Sequence, residues 1–386
     1  MGEFKHRYLL LALFLCVSSA RAQWIGDSTD EAHIQRGIRC VYNLSFDSAR
    51  TEFKYVTSSR PEDPSGYFFL AMIDWWKIVT DLDNTSYDEG FLSLLDKVVD
   101  LCDKRLDKDE NDVMALFFKG GAVGFQGRLH GNRGDWIKAA NAGRIALPIV
   151  QKMYELAPKN YDVLLGIGIY NYYAAVIPDL YPFVKPLMIF FPKGDRAKGI
   201  EQLRVASKKA TYASVEATYF LLQALQNFEK RPLDALPLAL ELHATFPNNV
   251  IFHKYVGRCY ASLGNWTEMR EIFTEVLHRF DGKRTGYDTS AAREANYYLG
   301  LDEMNVGRYE TALSYFYKSD EQSRTLDRAE LSGFMVLTNL RIGMIYDLQG
   351  KRDLAQEQYN KVLKMTDYQD AHKQAESYLK APYKKS

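Results

Sequence analysis

Apolar residues along this chain recur at three- and four-residue intervals, the period of helices that hide one face. The pattern is clearest from Phe252 to Phe280, FHKYVGRCYASLGNWTEMREIFTEVLHRF. Gly257 and Tyr260 lie three apart in its first half, Leu263 and Gly264 end that half, and Trp266, Met269, Phe273 and Leu277 mark one face of the second. The spacing predicts two antiparallel helices joined by a tight turn. A small residue lets the helices approach, and aromatic side chains fill the gap where they cross. One such pair cannot bury its apolar face alone, so neighbours of the same kind are expected.

The neighbours are present. Gly300 repeats the Gly257 position and is followed by Gly307, Tyr309, Ala312 and Phe316; Gly343 repeats it again, with Tyr346, Gly350, Ala355 and Tyr359. Both steps are 43 residues. Going back by about 34 residues, the usual period of such pairs, lands on Gln223, with Ala235 in the small slot and Pro247 closing the unit. This order of small residue, Tyr, turn Gly, small residue and aromatic resembles the tetratricopeptide-repeat superfamily. The resemblance implies an all-α fold: an α-solenoid of about eight helix pairs with a C-terminal capping helix. It divides the chain into a leader at 1–22, divergent units over 23–213 with an insertion at 178–192, and clearer repeats with the cap over 214–386.

Within 23–213 the units differ in character. The first spans about Thr29 to Pro61, with Gly37 in the small slot and Phe46, Ala49 and Phe53 following. The second opens at Asp63-Pro64-Ser65, a helix-start signal. Its first helix, GYFFLAMIDWWKIV, is apolar nearly all round, which predicts burial on several sides. Asp74 sits in that face and is expected to be satisfied by a cation or a helix end. The third unit carries KGGAVGFQGRLHGNRGDW over 119–136, whose six glycines predict close helix packing followed by a long turn. The basic residues Arg128, His130 and Arg133 fall in the same segment. The fourth holds LLGIGIYNYYAAVIP and then DLYPFVKPLMIFFP, an insertion too greasy to be left in water and so expected to lie against the fold. Links after Phe280 and Ser319 are expected to absorb the 43-residue step, and a polar helix over about 368–379 to solvate the last unit.

A narrower resemblance rests on IPxLxP, GDRxxGxxxL at 194–203, GRLHxNRxDW and GxGxYNYY, over about Asp112 to Gln223. It is similar to a tetratricopeptide subfamily that includes tetratricopeptide-repeat 39-like and outer-mitochondrial inclusion-clearance proteins, with exported bacterial relatives. That resemblance implies a helical interaction protein and no known chemistry.

The N-terminus narrows the setting. Lys5, His6 and Arg7 precede an apolar run from Tyr8 to Val17, and Ala20-x-Ala22 fits a signal-peptidase site. The run is too short to span a bilayer, and no transmembrane segment is expected in the mature chain, which points to the periplasm or cell surface. Formal net charge is zero over 386 residues, which gives no electrostatic case for nucleic acid. Cys40, Cys102 and Cys259 are left after the leader; three thiols without a CxxC argue against a disulfide framework or a zinc site. Asn43, Asn84 and Asn265 begin Asn-x-Ser/Thr triplets.

Chemistry is sparse. No HExxH, GxSxG or nucleotide-binding loop occurs, no cofactor is implied, and an enzyme is not expected. The function predicted is a scaffold for a protein or peptide partner. Helix phase places Lys254, Arg258, Tyr297, Tyr298 and Arg341 on an inner groove. Arg128, His130, Arg133, Tyr170, Asn171, Tyr172, Tyr173 and Arg196 are added from the third and fourth units. The rival readings are a small-molecule or glycan site at the aromatic cluster near 170–192, and an enzyme built on Asp74, His130, Arg133 and Asp195.

Overall fold

A computed structural model describes residues 25, 27–327 and 331–385, so the expected leader at 1–22 lies outside the described residues. Every regular element among the described residues is helical. Eight antiparallel pairs follow one another: α1 (Ser28–Tyr42) with α2 (Phe46–Ser59), α3 (Pro64–Thr80) with α4 (Asp88–Leu106), α5 (Val113–Asn132) with α6 (Trp136–Leu156), and α7 (Val163–Leu180) with α8 (Arg196–Lys209). Then come α9 (Ser214–Gln223) with α10 (Pro232–Thr245), α11 (Val250–Leu263) with α12 (Trp266–Asp281), α13 (Thr289–Asn305) with α14 (Tyr309–Leu326), and α15 (Gly333–Leu348) with α16 (Arg352–Val362). The capping helix is α17 (Ala371–Lys380). The chain is an all-α helical-repeat protein.

One packing rule builds four of the pairs. A Cβ on Gly37, Gly257, Gly300 or Gly343 would fall 2.2–2.8 Å from the ring of Phe53, Phe273, Phe316 or Tyr359, in each case sixteen residues on. All four rings are fully buried. Only glycine leaves room for the ring at the crossing, so the ring locks the helix angle and the glycine sets the spacing. The fifth pair inverts the choice: Gln223 stands in the glycine register and the fully buried Ala239 in that of the ring.

The array does not stay open. Its first pair folds back on the fifth and sixth. Asn249 caps α11 by accepting from Ile251 and Phe252 backbone N–H, and its amide donates to the Tyr42 carbonyl at 2.7 Å. Asn248 N–H donates to Asn43 Oδ1 at 3.1 Å. Trp76 on α3 packs its ring against Tyr42, Tyr219 and Phe252, with centroids 5.1, 5.5 and 5.4 Å away. Leu44, held at φ 58°, reaches Gly286, itself at φ 81° and too close to the leucine to carry a side chain. One continuous apolar core therefore runs from Ile25 to Leu299, and a second occupies Tyr297 to Ala375. Closure explains why α3 is apolar all round: it faces α2 and α4 outside and the rings of α9 and α11 inside.

Three expectations about boundaries are corrected. The glycine-rich segment is no loop: α5 runs unbroken to Asn132, and only Gly134, at φ 76°, turns the chain. Gly120 and Gly127 seat α5 against Ile149, Val150 and Ala142 of α6, which is why a helix tolerates them. The link after Ser319 is two more turns of α14, which extends to Leu326. The 178–192 insertion is half covered: a 3-10 segment, Pro182–Phe190, buries Val184 but leaves Phe183 and Ile189 in solvent.

Candidate inner-face site

The first helices of the pairs line the inside of the array. In the closed turn that lining is filled. Arg128 of α5 lies between the rings of Trp75 and Phe220, 4.6 and 4.1 Å from their centroids, and pairs with Glu216 at 3.0 Å. Tyr42 donates its hydroxyl to the other Glu216 oxygen at 3.2 Å. Burial pushes the Glu216 carboxyl above the usual range, against the pull of Arg128. Tyr173 is half-buried in the same lining, and burial lifts its hydroxyl to about 12.

Beyond Gln223 the lining changes. Ala224–Phe228 is a π-helical turn, in which Glu229 N–H donates to the Ala224 carbonyl at 2.9 Å. The extra residue brings Asn227 to the Tyr255 hydroxyl at 3.0 Å and Gln226 to Ser262 at 2.8 Å. Next along the face, Arg258 grips both oxygens of Glu294 at 2.5 and 2.6 Å, and Lys254 adds a third contact at 3.2 Å. Burial opposes ionisation of Glu294, yet the two cations hold it at about 2. The Arg258 side chain keeps 27% of its surface in water, and Tyr298 beside it is half-buried, stacked on Phe273 at 4.6 Å. Farther on, Asn339 donates to Asp320 at 2.7 Å and accepts from Lys361 at 2.6 Å.

The expected site residues divide accordingly. Lys254, Arg258 and Tyr298 share one stretch of inner face around Glu294. Tyr297 is buried against Phe334 and Phe316, with Arg341 at its hydroxyl. Arg341 Nη1 also contacts Met344 Sδ at 3.2 Å, while its Nε has no hydrogen-bond partner among the described residues. Arg133 ends α5 and clamps the α3–α4 loop through Asp88, at 2.7 and 2.8 Å, and the Leu82 carbonyl. His130 is half-buried one turn before it.

The fourth-pair residues fasten helices together. Tyr172 and Arg196 meet on Glu229, at 2.8 and 2.5 Å, Asn171 donates to Gln202 at 2.7 Å, and Tyr170 donates to the Pro192 carbonyl at 2.5 Å. Asp74 lies 3.6 Å from Lys77 and 3.8 Å from Arg50, the satisfied carboxylate expected of it. Asp195 caps α8 through Lys198 N–H at 2.9 Å. Asp74, Arg133 and Asp195 thus belong to separate local networks. The buried thiols Cys102 and Cys259 are pushed up to about 12 by burial, and the cysteines Cys40, Cys102 and Cys259 are free. Among the described residues no three His, Cys, Asp or Glu side chains converge to hold a metal.

Comparisons with known proteins bear on the fold alone. No family model matches the chain, and none of the curated proteins matches it. Solved structures do. The human IFIT1 dimer with PPP-AAAA is 16% identical, with a TM-score of 0.46 over 87% of this chain and 72% of that one. Rap protein complexed with competence and sporulation factor is 12% identical, with a TM-score of 0.44 over 92% and 96%. The C-terminal part of a TPR repeat-containing protein from Cytophaga hutchinsonii is 14% identical, with a TM-score of 0.35 over 76% and 96%. At such distances the helix-pair geometry above describes this chain better than any of them.

Sequence reasoning missed Glu216, Glu294 and Asn227. Glu294 had a signal: Arg258 and Glu294 are opposite charges 36 residues apart, about one repeat, on consecutive inner helices. Asn227 had none, because its place depends on the π turn.

Proposed function

We propose that this chain is an exported helical-repeat scaffold that binds an extended protein or peptide segment in the cell envelope, along the inner face of its sixth to eighth pairs. The basic start, the apolar run at Tyr8–Val17 and Ala20-x-Ala22 support export. The observation that carries the binding reading is the partly exposed pair Arg258 and Tyr298 on a face whose neighbours are pre-ordered by Glu294, Lys254 and Phe273. Aromatic and guanidinium groups fixed before binding lose little entropy on contact, which is why such residues dominate protein interfaces.

Photo-crosslinking in the cells that make the protein tests this. A photoreactive residue at Tyr298 is expected to capture a protein partner, whereas one at Leu354, exposed on α16, captures none. Equal capture at the two positions, or none at Tyr298, overturns the reading.

A further inference from the structure

The most exposed large apolar side chains of the third and fourth pairs gather at one end of those helices. Ile137, Phe183 and Ile189 are 76, 62 and 79% exposed. Phe183 belongs to a knot of three rings next to Ile137: Trp136 lies 5.1 Å from Tyr181 and 5.7 Å from Phe183, and Tyr181 lies 6.0 Å from Phe183. The segment is held out rather than loose. Val184 is buried beneath it, Tyr170 fixes the Pro192 carbonyl, and Phe191 rests on Gly143. The helix leading into it, α7, is itself long and apolar enough to cross a membrane, with a mean hydropathy of 1.3 over 18 residues. Its buried residues are Val163, Gly168, Tyr172 and Val176.

Cations are set among these prongs. Lys185 stands between Phe183 and Ile189 in sequence and is exposed, as are Lys193 just beyond and Lys138 and Arg144 on α6. Asp135, Asp179 and Asp195 are the nearby carboxylates; Asp135 pairs with Lys138 at 3.0 Å and Asp195 is committed to capping α8.

We propose that this end of the array docks on an anionic bilayer surface. Phe183, Ile189 and Ile137 would enter the acyl boundary, Trp136 and Tyr181 would sit at headgroup depth, and Lys185 and Lys193 would meet lipid phosphate. The interleaved ammonium favours lipid over protein as the cover. Under a protein face Lys185 would be buried and would need a dedicated partner, whereas a headgroup layer supplies phosphate wherever the side chain emerges.

The test uses the full chain with vesicles of equimolar phosphatidylcholine and phosphatidylglycerol, and hydrogen exchange read over residues 177–195. Restricting the readout to that window keeps the apolar run at Tyr8–Val17 from contributing. Exchange there is expected to slow with these vesicles, less so at high salt, and not with phosphatidylcholine alone. The double variant Phe183→Ser, Ile189→Ser replaces side chains already in solvent, so its melting should be unchanged. Its partitioning through this end should fall by about a hundredfold. No slowing in the wild-type chain, or equal slowing in the variant, overturns the proposal. So does slowing that follows protein concentration without vesicles, which would mark the patch as a contact between two copies.

Discussion

The first five pairs and the last three bury opposite things on their inner faces. In the closed turn the inner face meets its own N-terminus, and Trp75, Trp76, Tyr219 and Phe252 fill the space. Glu216, one of its buried carboxylates, has a single cation, Arg128, which is shared with two rings. From Lys254 and Arg258 of the sixth pair onward the inner face keeps charge. Glu294 is as buried as Glu216 but has two cations, and it stays ionised far below the usual range. Burial alone does not decide whether a carboxylate is comfortable; the number of partners does. The closed region is packed core, and the open region keeps the organised charge on which the proposed binding face rests.

The comparison can be broken most forcefully at Trp76. It is buried where α1, α3, α9 and α11 meet, so Trp76→Ala should cost about 3–5 kcal/mol in chemical denaturation. Hydrogen exchange should rise in both α1 and α11, although they lie some two hundred residues apart. Phe316→Ala, an equally buried ring in the seventh pair, should act only on α13 to α15. A Trp76 variant that loosened α3 and α4 alone would mean the closure contributes nothing to stability.

A second contrast is read by pH. The folded-state pKa of Glu294 is depressed, so its contribution is present above the unfolded value near 4.5 and is lost as pH falls toward about 2. The loss is on the order of 3 kcal/mol. Glu216 has the opposite sign: its folded pKa is raised, so its ionisation costs stability as pH rises through that value. In acid titrations followed by melting temperature, Glu294→Gln should flatten the decline below pH 4.5 on the Glu294 account. An unaltered slope in that variant would place the acid sensitivity elsewhere.

How much of this was legible in the sequence depends on the range of the interaction. The glycine-to-ring match spans sixteen residues inside one hairpin, so Gly37, Gly257, Gly300 and Gly343 announced themselves and their partners. The cap at Asp63 was legible for the same reason. Closure was not, because it sums a small rotation over five pairs and joins residues such as Tyr42 and Asn249. Its trace was the all-round apolar character of α3, which announced burial on several sides without saying against what. Helix phase put Lys254, Arg258 and Tyr298 on one face, and the structure gathers them around Glu294. Tyr170, Asn171, Tyr172 and Arg196 were read as partner-binding candidates, but phase cannot show that Glu229, Gln202 and the Pro192 carbonyl already hold them. The insertion at 178–192 was expected to be covered, yet only its Val184 face is.

The central claim is that pair one closes on pairs five and six. It is tested most directly by the distance between spin labels at residues 43 and 248. A single narrow distribution at the short end of the measurable range is the expected result, since the Asn43 side chain accepts from the Asn248 backbone. A helix-to-helix step is about 9 Å, so an array that ran on without closing would hold those labels several tens of Å apart. A long or broad distribution would contradict the account.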